Sequence, residues 1–237
     1  MPQDPEAAHE TLVQAVKKGR IPVETIHKSV KRILELKAKY GLFDEEDPLT
    51  QKFSALKTIG SEEHRAVERE IAERAVTVLA SRDGANPDSI QPSDRVVIAA
   101  SDQEQAEQLQ RQLTQAAGNL SLKTEIAVMS QGNTSGALQT IEQADYVILA
   151  SYQFRNVASE FGWSDIQTVV DTLNKANKRY VLLSLGNPYE TMYVQNVRSA
   201  LAVYGTQEPN TQAAIQVLLG QLKAEGVLPL GAQSRQK

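Results

Sequence analysis

The sequence predicts an α/β protein built on a mostly parallel sheet with helices on both faces. Two observations lead there. Short apolar runs (VVIAA at 96–100, YVILA at 146–150, YVLLSL at 180–185) alternate with longer stretches whose apolar residues recur at helical spacing. The runs are aliphatic or β-branched almost throughout, the pattern of strands covered on both faces rather than one. That alternation gives each strand a helical crossover to a parallel neighbour, and such crossovers should be right-handed.

The elements follow in order. Ala8, Leu12, Ala15 and Val16 mark one face of a first helix, and Gly19 supplies its left-handed end. Pro22 suits the first turn of a second helix with the stripe Val23, Ile26, Val30, Ile33 and Leu34, closed by Gly41 with Leu42 folding back. The acidic, proline-terminated stretch Phe43 to Pro48 reads as the start of a linker, giving the division 1–42 helical, 43–60 linker, 61–232 sandwich and 233–237 polar tail. Ser61 caps a helix with Glu62 and Glu63 in its first turn, and its expected buried stripe is His64, Val67, Ile71, Ala72 and Ala75.

Strands are expected at 76–80, 96–100, 126–129, 146–150, 180–185 and 200–204. Between them lie helices carrying Ala106, Leu109, Leu113 and Ala116, then a short one near 137–143. Another carries Ile166, Val169, Val170 and Leu173, and the last covers 211–222. Leu228-Pro229-Leu230 closes the fold.

The composition narrows the function classes. In 237 residues, 41% are hydrophobic and 23% charged, enough apolar material for a sizeable core. The net charge of −4 offers no basic field for nucleic acid. The absence of cysteine removes disulfides, thiolate catalysis and Cys-based metal sites. No apolar run approaches the roughly 20 residues of a membrane helix. MPQDPEAAHE has neither the charge nor the apolar core of a signal peptide.

One segment is distinctive. AVKKGRIPVETIHKSVKRILELKAKYGLF resembles the end of the catalytic barrel in glycoside hydrolase family 3, more narrowly in bacterial two-domain β-N-acetylglucosaminidases. SEEHRAVEREIAERAVTVLAS resembles the opening of that family's second domain, and EPNTQAAIQVLLGQLKAEGVLPL its close. The resemblance implies the terminal helices of a (β/α)₈ barrel followed by an α/β sandwich. It also implies hydrolysis of β-linked N-acetylglucosamine with retention, on peptidoglycan-derived sugars, outside the cell or at the cell wall. Met1-Pro2 resembles an internal point of the family's last barrel strand, so an internal start is expected, with the barrel as the natural partner in cis or as a separate fragment.

Retaining hydrolysis needs a nucleophilic carboxylate and an acid/base, in carboxyl-pair enzymes roughly 5–5.5 Å apart. The resemblance puts the nucleophilic Asp and an Asp–His dyad on the barrel, with a KHFPGHGDT stretch lining the sugar pocket. None of these strings occurs here, and none of His9, His27 and His64 sits in an Asp-x-His string. The expected chain is therefore catalytically inactive alone, with no catalytic residue and no metal or cofactor. No GxxxxGK[ST] is present, no GxGxxG follows a strand, and the acidic run 44–47 reads as solvated linker. His27 and His64 read as surface or interface residues of helices.

Ligands of open parallel sheets bind beyond the carboxyl ends of the strands. The chain places Ser101, Asp102, Ser130, Gln131, Ser151, Tyr152, Asn187, Tyr189 and Tyr204 there, a polar and partly aromatic rim. It can hydrogen-bond sugar hydroxyls, or it can simply cap the following helices. Trp163, beside Phe161 and Gly162, is either a sugar-stacking platform or an aromatic packed on the sheet. Two readings stay open: the C-terminal portion of a glycosidase, or a free-standing sugar- or muropeptide-binding module. A ligand-free interaction domain is a third.

Overall fold

A computed structural model of the chain describes residues 4–43, 58–130, 134–152 and 162–228. These fall into two compact units, Met1–Ile59 and Gly60–Lys237. The first holds two helices, α1 (Pro5–Lys17) and α2 (Val23–Lys39). Asp4 caps α1, its Oδ1 accepting from the Ala7 N–H at 3.0 Å. Pro22 sits one residue earlier than the sequence suggests, as the extended residue just before α2. Both helices end in the same device. At α2, Gly41 takes φ +67°, its N–H reaches the Ala38 carbonyl and the Leu42 N–H reaches Lys37, so two terminal carbonyls are satisfied. Leu12, Val30, Ile33, Leu34 and Leu36 remain exposed, and no residue of α2 is buried.

The second unit carries a six-stranded sheet in the order β1-β6-β5-β4-β2-β3. Its strands are β1 (Thr77–Ser81), β2 (Arg95–Ala100), β3 (Lys123–Val128), β4 (Tyr146–Ser151), β5 (Arg179–Ser184) and β6 (Ser199–Ala202). All neighbours are parallel except β1, which runs antiparallel to β6 with an irregularity between Val78 and Ala80. The helices are α3 (Glu62–Ala75), α4 (Gln103–Ala116), α5 (Thr134–Glu142), α6 (Trp163–Lys175), a single turn α7 (Glu190–Tyr193) and α8 (Glu208–Leu218).

Period-two geometry divides each strand between two cores. Val96, Ile98 and Ala100 of β2, with Tyr146, Ile148 and Ala150 of β4, meet Ala72 of α3, Leu109 and Leu113 of α4 and Ala214 and Leu218 of α8. On the other face Val97, Ala99, Val147, Leu149 and Leu182 meet Ile141 of α5 and Ile166, Val169, Val170 and Leu173 of α6. The expected α/β/α sandwich with a mostly parallel sheet is therefore the observed one.

Two local expectations are corrected. Val67 and Ile71 of α3 are 50% and 63% exposed and His64 is exposed, so only Ala72 of its expected stripe is buried. A helix seated on one neighbouring helix at a sheet edge buries a narrow seam, not a full stripe. β1 also runs against the other strands, in keeping with a link to β2 (residues 82–94) that carries Pro87 and Pro92 and no crossover helix.

That link lies across the amino ends of the strands and is pinned there. The buried Tyr146 hydroxyl donates to the Pro87 carbonyl at 2.6 Å, and Arg179 donates to the Ser89 carbonyl (2.6 Å) and to Asp94 (2.8 Å).

Candidate functional site

The chain steps outward from β2 to the edge strand β3, then returns past β2 to β4, so its direction across the sheet reverses between β2 and β4. At such a switch point the two following loops leave to opposite faces and a crevice opens at the strand ends. Here a crevice of about 340 Å³ is lined by Ser101, Asp102, Glu104, Gln105, Gln108, Tyr152 and Thr206. β2 and α4 supply the first five, β4 delivers Tyr152, and Thr206 comes from the turn before α8. Gln108 braces the wall, its Nε2 donating to the Thr206 carbonyl (3.0 Å) and to Thr211 Oγ1 (2.7 Å). Asp102 caps α4, accepting from the Gln105 N–H at 2.8 Å. The lining holds two carboxylates and no lysine or arginine, so it does not attract anions. It offers hydroxyl, amide and carboxylate groups beside one phenol ring, a set that suits a neutral, hydroxyl-rich ligand. Hollows beside α1 and α2 are lined by one helix each and gather no groups from separate elements.

The expected rim is thus partly assembled. Ser101, Asp102 and Tyr152 come together in the crevice. Ser130 is exposed just past β3, and Gln131 lies outside the described residues. Ser151 is buried beneath the rim and donates to Glu190 Oε1 at 2.6 Å. Asn187 folds its Oδ1 onto the Tyr189 N–H (2.9 Å), which shapes the loop after β5. Tyr204 stands past β6, its hydroxyl 3.0 Å from Thr77 Oγ1, in a left-handed conformation at φ +63° that costs a non-glycine residue on the order of 1 kcal/mol. Trp163 stacks on Tyr193 with ring centroids 3.9 Å apart and also packs on the core, so its ring is engaged within the protein. His9, His27 and His64 are exposed. Among the described residues no group of three His, Cys, Asp or Glu could hold a metal, and no helix is long and apolar enough to cross a membrane.

Glu190 is not among the residues the sequence points to. It is fully buried and accepts from Ser151 Oγ and from Ser184 Oγ, both at 2.6 Å. The signal was there: two apolar strands, YVILAS and RYVLLS, each end in serine, and buried hydroxyls need a partner.

No known-family profile matches the chain. In sequence it is 26% identical over 238 residues to β-glucosidase C of Emericella nidulans, covering 94% of this chain and 34% of that protein. In fold it is similar to a fungal multi-domain family 3 β-N-acetylglucosaminidase (TM-score 0.67, 22% identity, 94% of this chain and 25% of that one). It is also similar to a family 3 β-N-acetylglucosaminidase from Paenibacillus (TM-score 0.65, 21% identity, 94% and 42%). A β-glucoside phosphorylase gives TM-score 0.65 at 19% identity. The likeness is to family 3 glycosidases broadly, and the chain spans about a third of the curated relative it matches.

Proposed function

We propose that this chain is the C-terminal portion of a retaining family 3 glycosidase that removes terminal β-linked N-acetylglucosamine from peptidoglycan-derived sugars, outside the cell or at the cell wall. In this reading residues 1–42 are the closing helices of a catalytic barrel, 43–60 a linker, 61–232 the sandwich and 233–237 a polar tail. The observation that carries it is the pairing of the AVKKGRIPVETIHKSVKRILELKAKYGLF segment with a sandwich similar over 94% of the chain to two family 3 β-N-acetylglucosaminidases. The exposed apolar residues of α1 and α2 support it, since helices of that kind ordinarily pack against a neighbour. The barrel would hold the nucleophile and the acid/base. The sandwich would support it and present its crevice to a neutral part of the substrate.

The purified chain should give no turnover of a chromogenic β-N-acetylglucosaminide. Supplying a family 3 barrel, fused or as a separate fragment, should restore it. Turnover by the chain alone would overturn the reading.

A second reading, a free-standing module that binds sugars or muropeptides, is favoured by a crevice built wholly from residues of the second unit. Its carboxylates, with no basic residue in the lining, favour N-acetylglucosamine over the acidic muramic acid. Ligand-observed NMR with both sugars checks this. Binding by the chain without any barrel supports the module, and silence towards both sugars removes it.

A further inference from the structure

Glu190 is the one carboxylate of the second unit with no exposed surface among the described residues, and neither function above uses it. Its place is specific. Ser151 and Ser184 are the last residues of β4 and β5 and are paired in register across the sheet. The Ser151 carbonyl accepts from the Leu185 N–H and the Ser184 carbonyl from the Val203 N–H, both continuing the ladder, while both hydroxyls turn to Glu190. One carboxylate therefore ties two central strands at the point where they leave the sheet. Glu190 also opens α7, whose Tyr193 lies on Trp163 at the start of α6. The residue after Ser151 is Tyr152, on the crevice wall.

We infer that Glu190 is the positioning residue of the crevice: it fixes the end of β4, and with it Tyr152, and links that wall to the Trp163–Tyr193 stack. The physical reason is that buried serine hydroxyls stripped of their acceptor are costly. Removing the carboxylate frees the end of β4 just where the chain turns into the crevice. The inference rests on the crevice being a ligand site.

The test uses the full chain with Glu190→Ala, Glu190→Gln and Ser184→Ala. Folding is checked by circular dichroism, N-acetylglucosamine binding by ligand-observed NMR, and the stack by the emission of Trp163, the only tryptophan. Glu190→Ala should weaken binding about tenfold with secondary structure intact and should shift the emission. Ser184→Ala should move both in the same direction by less. Glu190→Gln keeps the length and one acceptor, and its amide can donate to the second serine, so it should restore most of both. Wild-type affinity and emission in folded Glu190→Ala would overturn the inference. If Glu190→Ala does not fold, unchanged binding and emission in Ser184→Ala overturn it instead. If the unmodified chain binds no sugar, the crevice reading fails and the emission alone decides whether Glu190 positions the strand end.

Discussion

Tyr146 closes the amino end of the sheet from within. Burial, opposed only in part by a hydrogen bond at Ser89 and by Arg179, holds its pKa well above the usual value. The folded state keeps that proton while an unfolded tyrosine releases it near pH 10, so its contribution to stability is complete below about pH 10 and is lost as pH rises beyond. Thermal melts should therefore show stability falling above about pH 10, and Tyr146→Phe should flatten the fall. At neutral pH the same substitution leaves the buried Pro87 carbonyl without its donor and should cost about 1–2 kcal/mol. Gly226 makes a steric point of its own. A Cβ there would land on the Ala75 carbonyl and the Thr77 hydroxyl. Gly226→Ala should lower stability by about 1–3 kcal/mol, read by urea denaturation, and a neutral result would mean that the last segment shifts freely.

Helices α3 and α6 read alike in sequence and behave differently. The stripe Ile166, Val169, Val170 and Leu173 of α6 is buried residue for residue as expected, because α6 lies flat on the sheet. The stripe of α3 is not, because apolar spacing declares a face without declaring what covers it. Leu173→Ala should cost about 2–5 kcal/mol and Ile71→Ala less than about 0.5 kcal/mol, which denaturant titration of the two variants separates. The central strands were legible for the same reason as α6, since runs buried on both faces are apolar throughout. The edge strand β3 was less so, and begins three residues before the expected 126, where Lys123, Thr124 and Glu125 are polar. The sense of β1 was not legible, since periodicity carries no direction. The site was legible only in part. Ser101, Asp102 and Tyr152 follow from the rule for strand ends, but which ends lie on either side of the reversal depends on strand order, and one sequence does not state it. Glu190 was hidden because a lone glutamate after Pro188-Tyr189 looks like any surface acid until two serines from distant strands are brought to it.

The two units differ in how much of themselves they bury. Helix α2 has no buried residue, whereas every residue of β4 is buried. Most of a helix's stability in a protein comes from packing its apolar face, and regions with few buried contacts open most readily. In the purified chain, amides of α2 should exchange orders of magnitude faster than those of β4. Equal protection in a monomer would contradict this, and protection that grows with concentration would point to self-association through Leu12, Ile33 and Leu34. The contact beside Gly226 reaches further still. Its N–H donates to the Val76 carbonyl at 2.9 Å, so the stretch that begins with β1 comes back to its own starting point after α8. A polypeptide that closes on itself in this way needs only one point of attachment. A graft of it into a host chain would have to carry α3 as well, since Ala72 belongs to its core.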